Sequence, residues 1–310
     1  MSWHCLRVIA ELCRTHGDEL VAVFNLPPEA GASHSAYVEF HGLANEFGFP
    51  EHATRNLGSP ENLELLHGLR LDVLFIIGWH RIVPQAVIDS ARYCLGLHSS
   101  LLPRNRGSSP INWAIIHGER EGGMTLFHLA ASVDSGDIVA QKAFPIGPDD
   151  TCKDVYDRAT VASVELLREN WAALREGNVA RIPQDEAAAT LNPRRKPQDG
   201  EIDWNRSAQE LQDWVRALTH PYPGAFTTLR GKKLLVWQAR AVDEPCDAPP
   251  GVVISTHNHV RVATGRGVLD LGVLQFVGER ECPAPVFDSV YGLRPGERIA
   301  EPGTATQAGD

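Results

Sequence analysis

Two short segments carry residue types that could do chemistry. The first, Leu95-Gly96-Leu97-His98-Ser99-Ser100-Leu101-Leu102-Pro103, closes a short apolar run with a histidine and continues through Arg104-Asn105-Arg106-Gly107 to Pro110. The second, Val133-Asp134-Ser135-Gly136-Asp137-Ile138, is an acidic turn whose glycine permits tight backbone geometry. A histidine can act as a general base or a hydrogen-bond donor near neutral pH. A carboxylate beside it would orient the ring and favour its charged form. Taken singly, each segment has a plainer reading. A histidine at a strand end is more often structural, and an aspartate in a D-x-G turn is more often a turn-former.

The elements that must position these residues alternate between helical and strand patterns over the first 150 residues or so. Apolar residues from Cys5 to Cys13 recur at helical spacing, and Glu19 to Phe24 is a short apolar run ending at Pro27-Pro28. Residues 33–48 read as helix. Ser59-Pro60-Glu61-Asn62 has the form of a helix start, with serine as N-cap and proline in the first turn. Leu71 to Ile77 reads as a buried strand ending at Gly78, and Pro84 to Arg92 as a short helix. Strands follow near 94–98, 123–130 and 137–143, and a long helix runs from about Cys152 to Arg175, stopping at Gly177. Such alternation implies an α/β domain with a parallel sheet covered on both faces, and His98 then sits at a carboxyl end, where ligands bind.

Residues 183–200 are polar and proline-punctuated and read as a linker after a first domain of 1–182. Beyond it a helix near 207–218 precedes the turn Pro221-Tyr222-Pro223-Gly224. Short strands at 225–229, 233–240, 251–255, 259–263 and 268–275 then alternate with glycine turns, which predicts a small β-barrel over 201–300. Residues 301–310 read as a disordered tail.

Composition excludes several classes. The chain has 310 residues, 43% of them hydrophobic, and no apolar run of the roughly 18 residues that span a bilayer. No signal peptide is evident, so the chain reads as a soluble cytoplasmic protein without a membrane partner. Its six cysteines form no C-x-x-C and read as reduced thiols, and its histidines show no metal-ligand spacing, so no metal is expected. The net charge of -10 disfavours a nucleic-acid partner; Arg194-Arg195-Lys196 is the basic cluster singled out here, and it reads more readily as a solvated linker face than as a contact to a phosphate or carboxylate of the acceptor. The oligomeric state is left open, a homodimer included.

Together and in this order, the two chemical segments resemble the folate-dependent formyltransferase family. That family includes methionyl-tRNA formyltransferases, glycinamide ribonucleotide formyltransferases and sugar-nucleotide N-formyltransferases. The stretch H-x-S-L-L-P-x-x-R-G-x-x-P, here His98 to Pro110, and D-x-G-x-I, here Asp134 to Ile138, look like its signatures. Gly200 to Trp204, Val215 to Leu218 and Pro221 to Phe226 resemble the C-terminal domain of the tRNA and UDP-amino-arabinose members. The resemblance covers roughly residues 1–280. It implies a Rossmann-like formyltransferase domain followed by a small OB-like β-barrel, with 10-formyltetrahydrofolate as co-substrate. Formyl transfer to an amine passes through a tetrahedral intermediate, so an amine proton must leave and an oxyanion must be stabilised. By resemblance His98 serves as base or donor and Asp134 orients it. By the same resemblance the pterin lies against the loop from Ile77 to Ile82, with Gly78, Trp79 and Ile82, and against the 130–137 loop with Asp134, and Leu101 contacts it from the signature side. Core packing is the competing reading for Trp79.

Two departures stand out. Where the family usually places an asparagine, whose amide is expected to donate to the oxyanion, this chain has Gly96. Losing one such donor typically costs about 2.7–4 kcal/mol of transition-state stabilisation. Ser99, Ser100, Asn105 and Asn112 are substitute donors, His98 with a backbone N–H or a water is a second solution, and lost catalysis is a third. The family also opens with a strand before its first helix, whereas here Met1 leads almost directly into that helix; a start upstream is the favoured expectation. The resulting reading is an N-formyltransferase acting on a small primary amine, either an amino-sugar nucleotide or an amino-acid-like amine. The alternatives are a folate- or metabolite-binding protein without transfer activity, a methionyl-tRNA formyltransferase, and hydrolysis of formyl-folate.

Overall fold

The computed structural model describes residues 1–31, 37–79 and 81–299. The expected tail at 301–310, His80 and part of the expected 33–48 helix lie outside the described residues. The chain forms two compact units. The first takes Met1–Ile111, Arg120–Ile146 and Asp154–Arg194; the second takes Asn112–Glu119, Gly147–Lys153 and the chain from Arg195 onward.

In the first unit, helix α1 (Ser2–His16) buries the stripe Cys5, Leu6, Ile9, Ala10 and Cys13 that its spacing predicts. It ends at Gly17, whose φ of 73° lets its N–H donate back to the Cys13 carbonyl. Then come β1 (Val23–Asn25), α2 (Pro28–Gly31), α3 (His41–Phe47), β2 (Glu51–Ala53) and α4 (Pro60–Leu69). Ser59 caps α4, its hydroxyl accepting from the Asn62 N–H. Next are β3 (Leu71–Ile76), α5 (Gln85–Ile88), β4 (Ala91–His98), the two-residue strand β5 (Arg106–Gly107) and α6 (Pro110–Ile116), which from Asn112 onward belongs to the second unit. Strands β6 (Glu121–His128) and β7 (Ile138–Pro145), the long helix α7 (Cys152–Glu176) and β8 (Leu191–Asn192) complete this part of the chain.

The sheet order is β3-β4-β6-β7. Here the expectation of a parallel sheet is corrected. Only β3 and β4 run parallel; β4–β6 and β6–β7 are antiparallel. The residues joining β6 to β7 are too few for a crossover connection, so the two strands can only form a hairpin. Strand β1 pairs in parallel with β2 as a separate two-stranded ladder. Two elements are shorter than their apolar patterns suggest. The 19–24 run contributes only its end to β1, and the 84–92 helix shrinks to one turn because β4 already begins at Ala91.

In the second unit, α8 (Ala208–Leu218) starts with a capping box, in which the Ser207 and Glu210 side chains bond each other's backbone N–H groups. Strands β9 (Ala225–Leu229), β10 (Lys232–Val242), β11 (Val253–Ser255), β12 (Val260–Ala263), β13 (Val268–Phe276) and β14 (Cys282–Pro283) form one antiparallel sheet of order β11-β12-β13-β10-β9, with β14 on β13. A register shift in β10 between Val236 and Ala239 bends the sheet into a curled half-barrel. Helix α9 (Ala284–Tyr291), which the sequence reading did not include, buries Ala284 and Phe287. Phe287 packs with Phe276 and Tyr291.

Burial governs the thiols. It pushes Cys5 and Cys13 up to about 11 and Cys94 up to about 12, and Cys152 is fully buried as well. Alkylation of the folded protein near neutral pH is therefore expected to modify Cys246 and then Cys282, with the other four reacting only in denaturant. Mass mapping checks this; early labelling of Cys94 would show that the core opens locally.

Candidate active site

His98 ends β4 and is buried, with 9% of its surface exposed. Strand β6 flanks it, Thr125 lying opposite it in register. Beyond the strand the chain turns tightly. The Ser100 hydroxyl donates to the Arg104 carbonyl at 2.7 Å, and Thr125 Oγ donates to the Ser100 carbonyl. This turn brings Asn105 back to the histidine. His98 Nε2 lies 2.8 Å from the Asn105 carbonyl oxygen. A carbonyl can only accept, so Nε2 carries the hydrogen and Nδ1 is left as the nitrogen able to take a proton.

Asp134 faces that free nitrogen, its Oδ2 3.5 Å from Nδ1. The separation exceeds a good hydrogen bond, and it leaves a lone pair facing a carboxylate. A proton between them, carried on the ring or on a bound amine, relieves the repulsion. Asp134 sits in the left-handed region with φ of 48°, and its Oδ2 accepts the Gly107 N–H at 2.8 Å. Gly136 follows from the same close packing: a Cβ there would come within 1.8 Å of the His128 carbonyl oxygen.

The segment read as a linker turns out to bind this centre. Gln184 Nε2 donates to the carbonyls of Asp134 and Gly136 at 2.8 and 2.7 Å. Its Oε1 accepts two bonds from the buried Arg106 guanidinium, which also grips Glu186 with two nitrogens. That pairing raises Arg106 above its ordinary range and lowers the Glu186 carboxyl. Thr190 Oγ accepts the Asn105 N–H at 2.7 Å, Asn192 donates to the Asn105 side chain, and β5 pairs with β8. The sequence reading missed Arg106, Gln184, Glu186, Thr190 and Asn192. The available signal was an arginine within the signature loop, which, once buried, requires an acceptor from elsewhere in the chain.

Gly96 is explained by its neighbours. A Cβ at this position would stand 2.8 Å from Leu129 Cδ1 and 2.9 Å from Phe127 Cε1. Apolar side chains thus occupy the space that a residue at 96 would use, and Phe127 lies edge-on to His98 with ring centres 6.5 Å apart. Of the substitute donors, the Ser100 hydroxyl is engaged by Arg104, and the Asn112 amide donates to the Ala217 carbonyl at 2.6 Å within the second unit. Ser99 Oγ donates to Met1 Sδ at 4.0 Å, a long bond to a weak sulfur acceptor.

The expected pterin-side residues have different settings. Gly78 has a φ of 72°, and a Cβ there would meet Ser2 Oγ at 2.6 Å. Trp79 packs against the apolar cluster of Leu57, Leu66, Val83 and Val87. Ile82 is 76% exposed, an unusual setting for a large aliphatic side chain. Leu101 lies across Gly123 of β6, where a Cβ would come within 2.3 Å of it. Among the described residues no helix is long and apolar enough to cross a membrane, and no group of three or more His, Cys, Asp or Glu could hold a metal.

Residues 4–170 match the family model described as formyl transferase, and residues 194–291 match that of the formyl transferase C-terminal domain. The chain is 34% identical over 284 residues to a methionyl-tRNA formyltransferase of Citrifermentans bemidjiense, covering 90% of this chain and 88% of that one. Among solved structures it is similar to an N-formyltransferase from Helicobacter canadensis in complex with folinic acid and dTDP-3-aminofucose. The TM-score is 0.66 at 17% identity, over 85% of this chain and 94% of that one. It is also similar to HypX from Aquifex aeolicus in complex with tetrahydrofolic acid, with a TM-score of 0.62 at 20% identity, over 88% of this chain and 46% of that one.

Proposed function

We propose, from the premise that this chain belongs to the formyl transferase family, that it moves a formyl group from 10-formyltetrahydrofolate to the primary amine of a small acceptor. The observation that carries this reading is the His98–Asp134 pair, a buried base whose accepting nitrogen faces a carboxylate at the end of β4. This donor set fits formyl transfer to nitrogen, which requires one base and no redox centre. The co-substrate, when bound, supplies a formyl group on a nitrogen that can leave. His98 Nδ1 takes the proton of the attacking amine and returns it to the departing nitrogen. Asp134 holds the attacking amine and stabilises the charged ring. Ser99 Oγ is the side-chain hydroxyl left to donate to the developing negative charge on the carbonyl oxygen. Gly78, Trp79, Ile82 and Leu101 are assigned to the folate side.

A small acceptor is supported by the charge of the chain, in whose second part acidic residues outnumber Lys and Arg. Two observations favour a second acceptor, an aminoacyl-tRNA. One is the name carried by the 34%-identical relative. The other is the β9–β10 turn, where Arg230, Lys232 and Lys233 gather outside the basic cluster singled out from the sequence. Cytoplasmic residence belongs to the same proposal, in keeping with six free thiols.

The test mixes protein with 10-formyltetrahydrofolate and separate amino-sugar nucleotides, amino acids and charged initiator tRNA. Tetrahydrofolate formation and a formyl mass shift on the acceptor are followed. Transfer to a small amine supports the first reading, and transfer to the charged tRNA alone selects the second. Folate binding with no turnover on any acceptor would instead favour a binding protein.

A further inference from the structure

We propose that residues 184–192 are a positioning strap that fixes which ring nitrogen of His98 acts as the base. Both polar groups that face the ring nitrogens are tied to it. On one side, Asn105 presents its carbonyl to Nε2, and the Asn105 N–H is held by Thr190 Oγ at 2.7 Å. The neighbouring backbone is fixed by Arg106 N–H to the Thr190 carbonyl at 2.9 Å and Thr190 N–H to the Pro103 carbonyl at 3.2 Å. Asn192 Nδ2 donates to Asn105 Oδ1 at 2.7 Å, beside the β5–β8 pairing. On the other side, Asp134 meets Nδ1, and the Asp134 turn is held by the two donor bonds of Gln184.

Gln184 uses its whole amide in this role. Both N–H groups serve the turn and both lone pairs serve Arg106, whose remaining grip is on Glu186 of the same strap. Neither Gln184 nor Thr190 bonds to His98 itself. They are positioning residues, and their effect passes through the two acceptors that decide where the imidazole hydrogen resides. With the Asn105 carbonyl displaced, Nε2–H loses its acceptor. The Nδ1–H tautomer, donating to Asp134, then becomes the better-satisfied neutral form. That tautomer has no accepting nitrogen facing the carboxylate, so the base is lost although His98 is still present.

The proposal rests on the function above only for its rate readout; the tautomer is measured without turnover. Protein labelled with 15N-histidine is compared as wild type, Thr190→Val, Thr190→Ser and Gln184→Glu, with the His98 signals assigned by their absence from His98→Ala. Wild type is expected to show the Nε2–H tautomer. Thr190→Val, which removes the hydroxyl that accepts the Asn105 N–H, shifts the population towards Nδ1–H, and Thr190→Ser restores it. Gln184→Glu keeps the acceptor for Arg106 but turns an oxygen towards two carbonyls, and it shifts the His98 signals as well. In the transfer assay kcat falls roughly 10–100-fold in Thr190→Val and Gln184→Glu, with KM for the formyl donor nearly unchanged. Wild-type signals in both variants would overturn the proposal. If the wild-type protein transfers no formyl group to any acceptor, the functional reading fails, and the tautomer alone decides for or against the strap.

Discussion

Replacing His98 by alanine is expected to lower kcat for formyl transfer by roughly 10²–10⁴-fold, leaving binding of the folate co-substrate nearly intact. The basis is the accounting of the ring nitrogens. Nε2 is engaged by the Asn105 carbonyl, so Nδ1 is the ring nitrogen able to accept a proton at this centre. Asp134 is nearby, but its Oδ2 is already bound by the Gly107 N–H. Single-turnover kinetics at saturating acceptor measure the effect, with equilibrium binding of the folate as the companion readout. A variant that retains wild-type kcat would remove His98 from the reaction and return it to the structural reading a lone strand-end histidine invites.

Restoring an amide at position 96 is expected to damage the protein before it helps the chemistry. Gly96→Asn places a Cβ within 2.8 Å of Leu129 Cδ1 and 2.9 Å of Phe127 Cε1. Leu129 can yield at its tip. Phe127 is 4% exposed and packs with Leu102 and Ile138, so moving it disturbs a closed cluster. Overpacking of this kind costs about 1–3 kcal/mol. Because Phe127 also lies edge-on to His98, the single variant is expected to melt earlier and to turn over no faster. The double variant Gly96→Asn with Phe127→Leu opens the space, regains part of the stability and raises kcat roughly 10²-fold, the scale of one oxyanion donor. Thermal melts and kcat of the two variants and the parent decide the matter. A single variant as stable as the parent and faster would show that Phe127 and Leu129 do not close the site.

How far the sequence revealed this centre depends on the range of each contact. His98 and Asp134 lie within short contiguous stretches whose residue types are unusual together, so their pairing in the structure was legible. Residues 184–192 were not. Their pattern is that of any polar linker, and their role comes from pairing Arg106 with Leu191 and Asn105 with Asn192, partners more than eighty residues apart. Gly96 was legible as a departure, but its filler was not, because Phe127 reads as an ordinary residue of an apolar strand. The sheet direction failed for a related reason. Apolar runs announce strands without saying which way they run, and only the short β6–β7 connection betrays the hairpin. Helix α9 escaped because Pro283 to Tyr291 mixes proline, valine and aromatic residues, and its two buried positions, Ala284 and Phe287, show their helical spacing only once β13 is there to pack against.

The hydrogen bonds of residues 184–192 also bear on modular exchange. The histidine and aspartate signatures end well before the polar linker, which invites a crossover point anywhere along it. A chimera joined before Gln184 would keep every signature residue of the first unit and lose the bonds that align them. One joined beyond Asn192 carries the full set. For grafting a foreign second unit onto this one, the heritable module therefore runs well past Ile138, where the second of the two signatures ends.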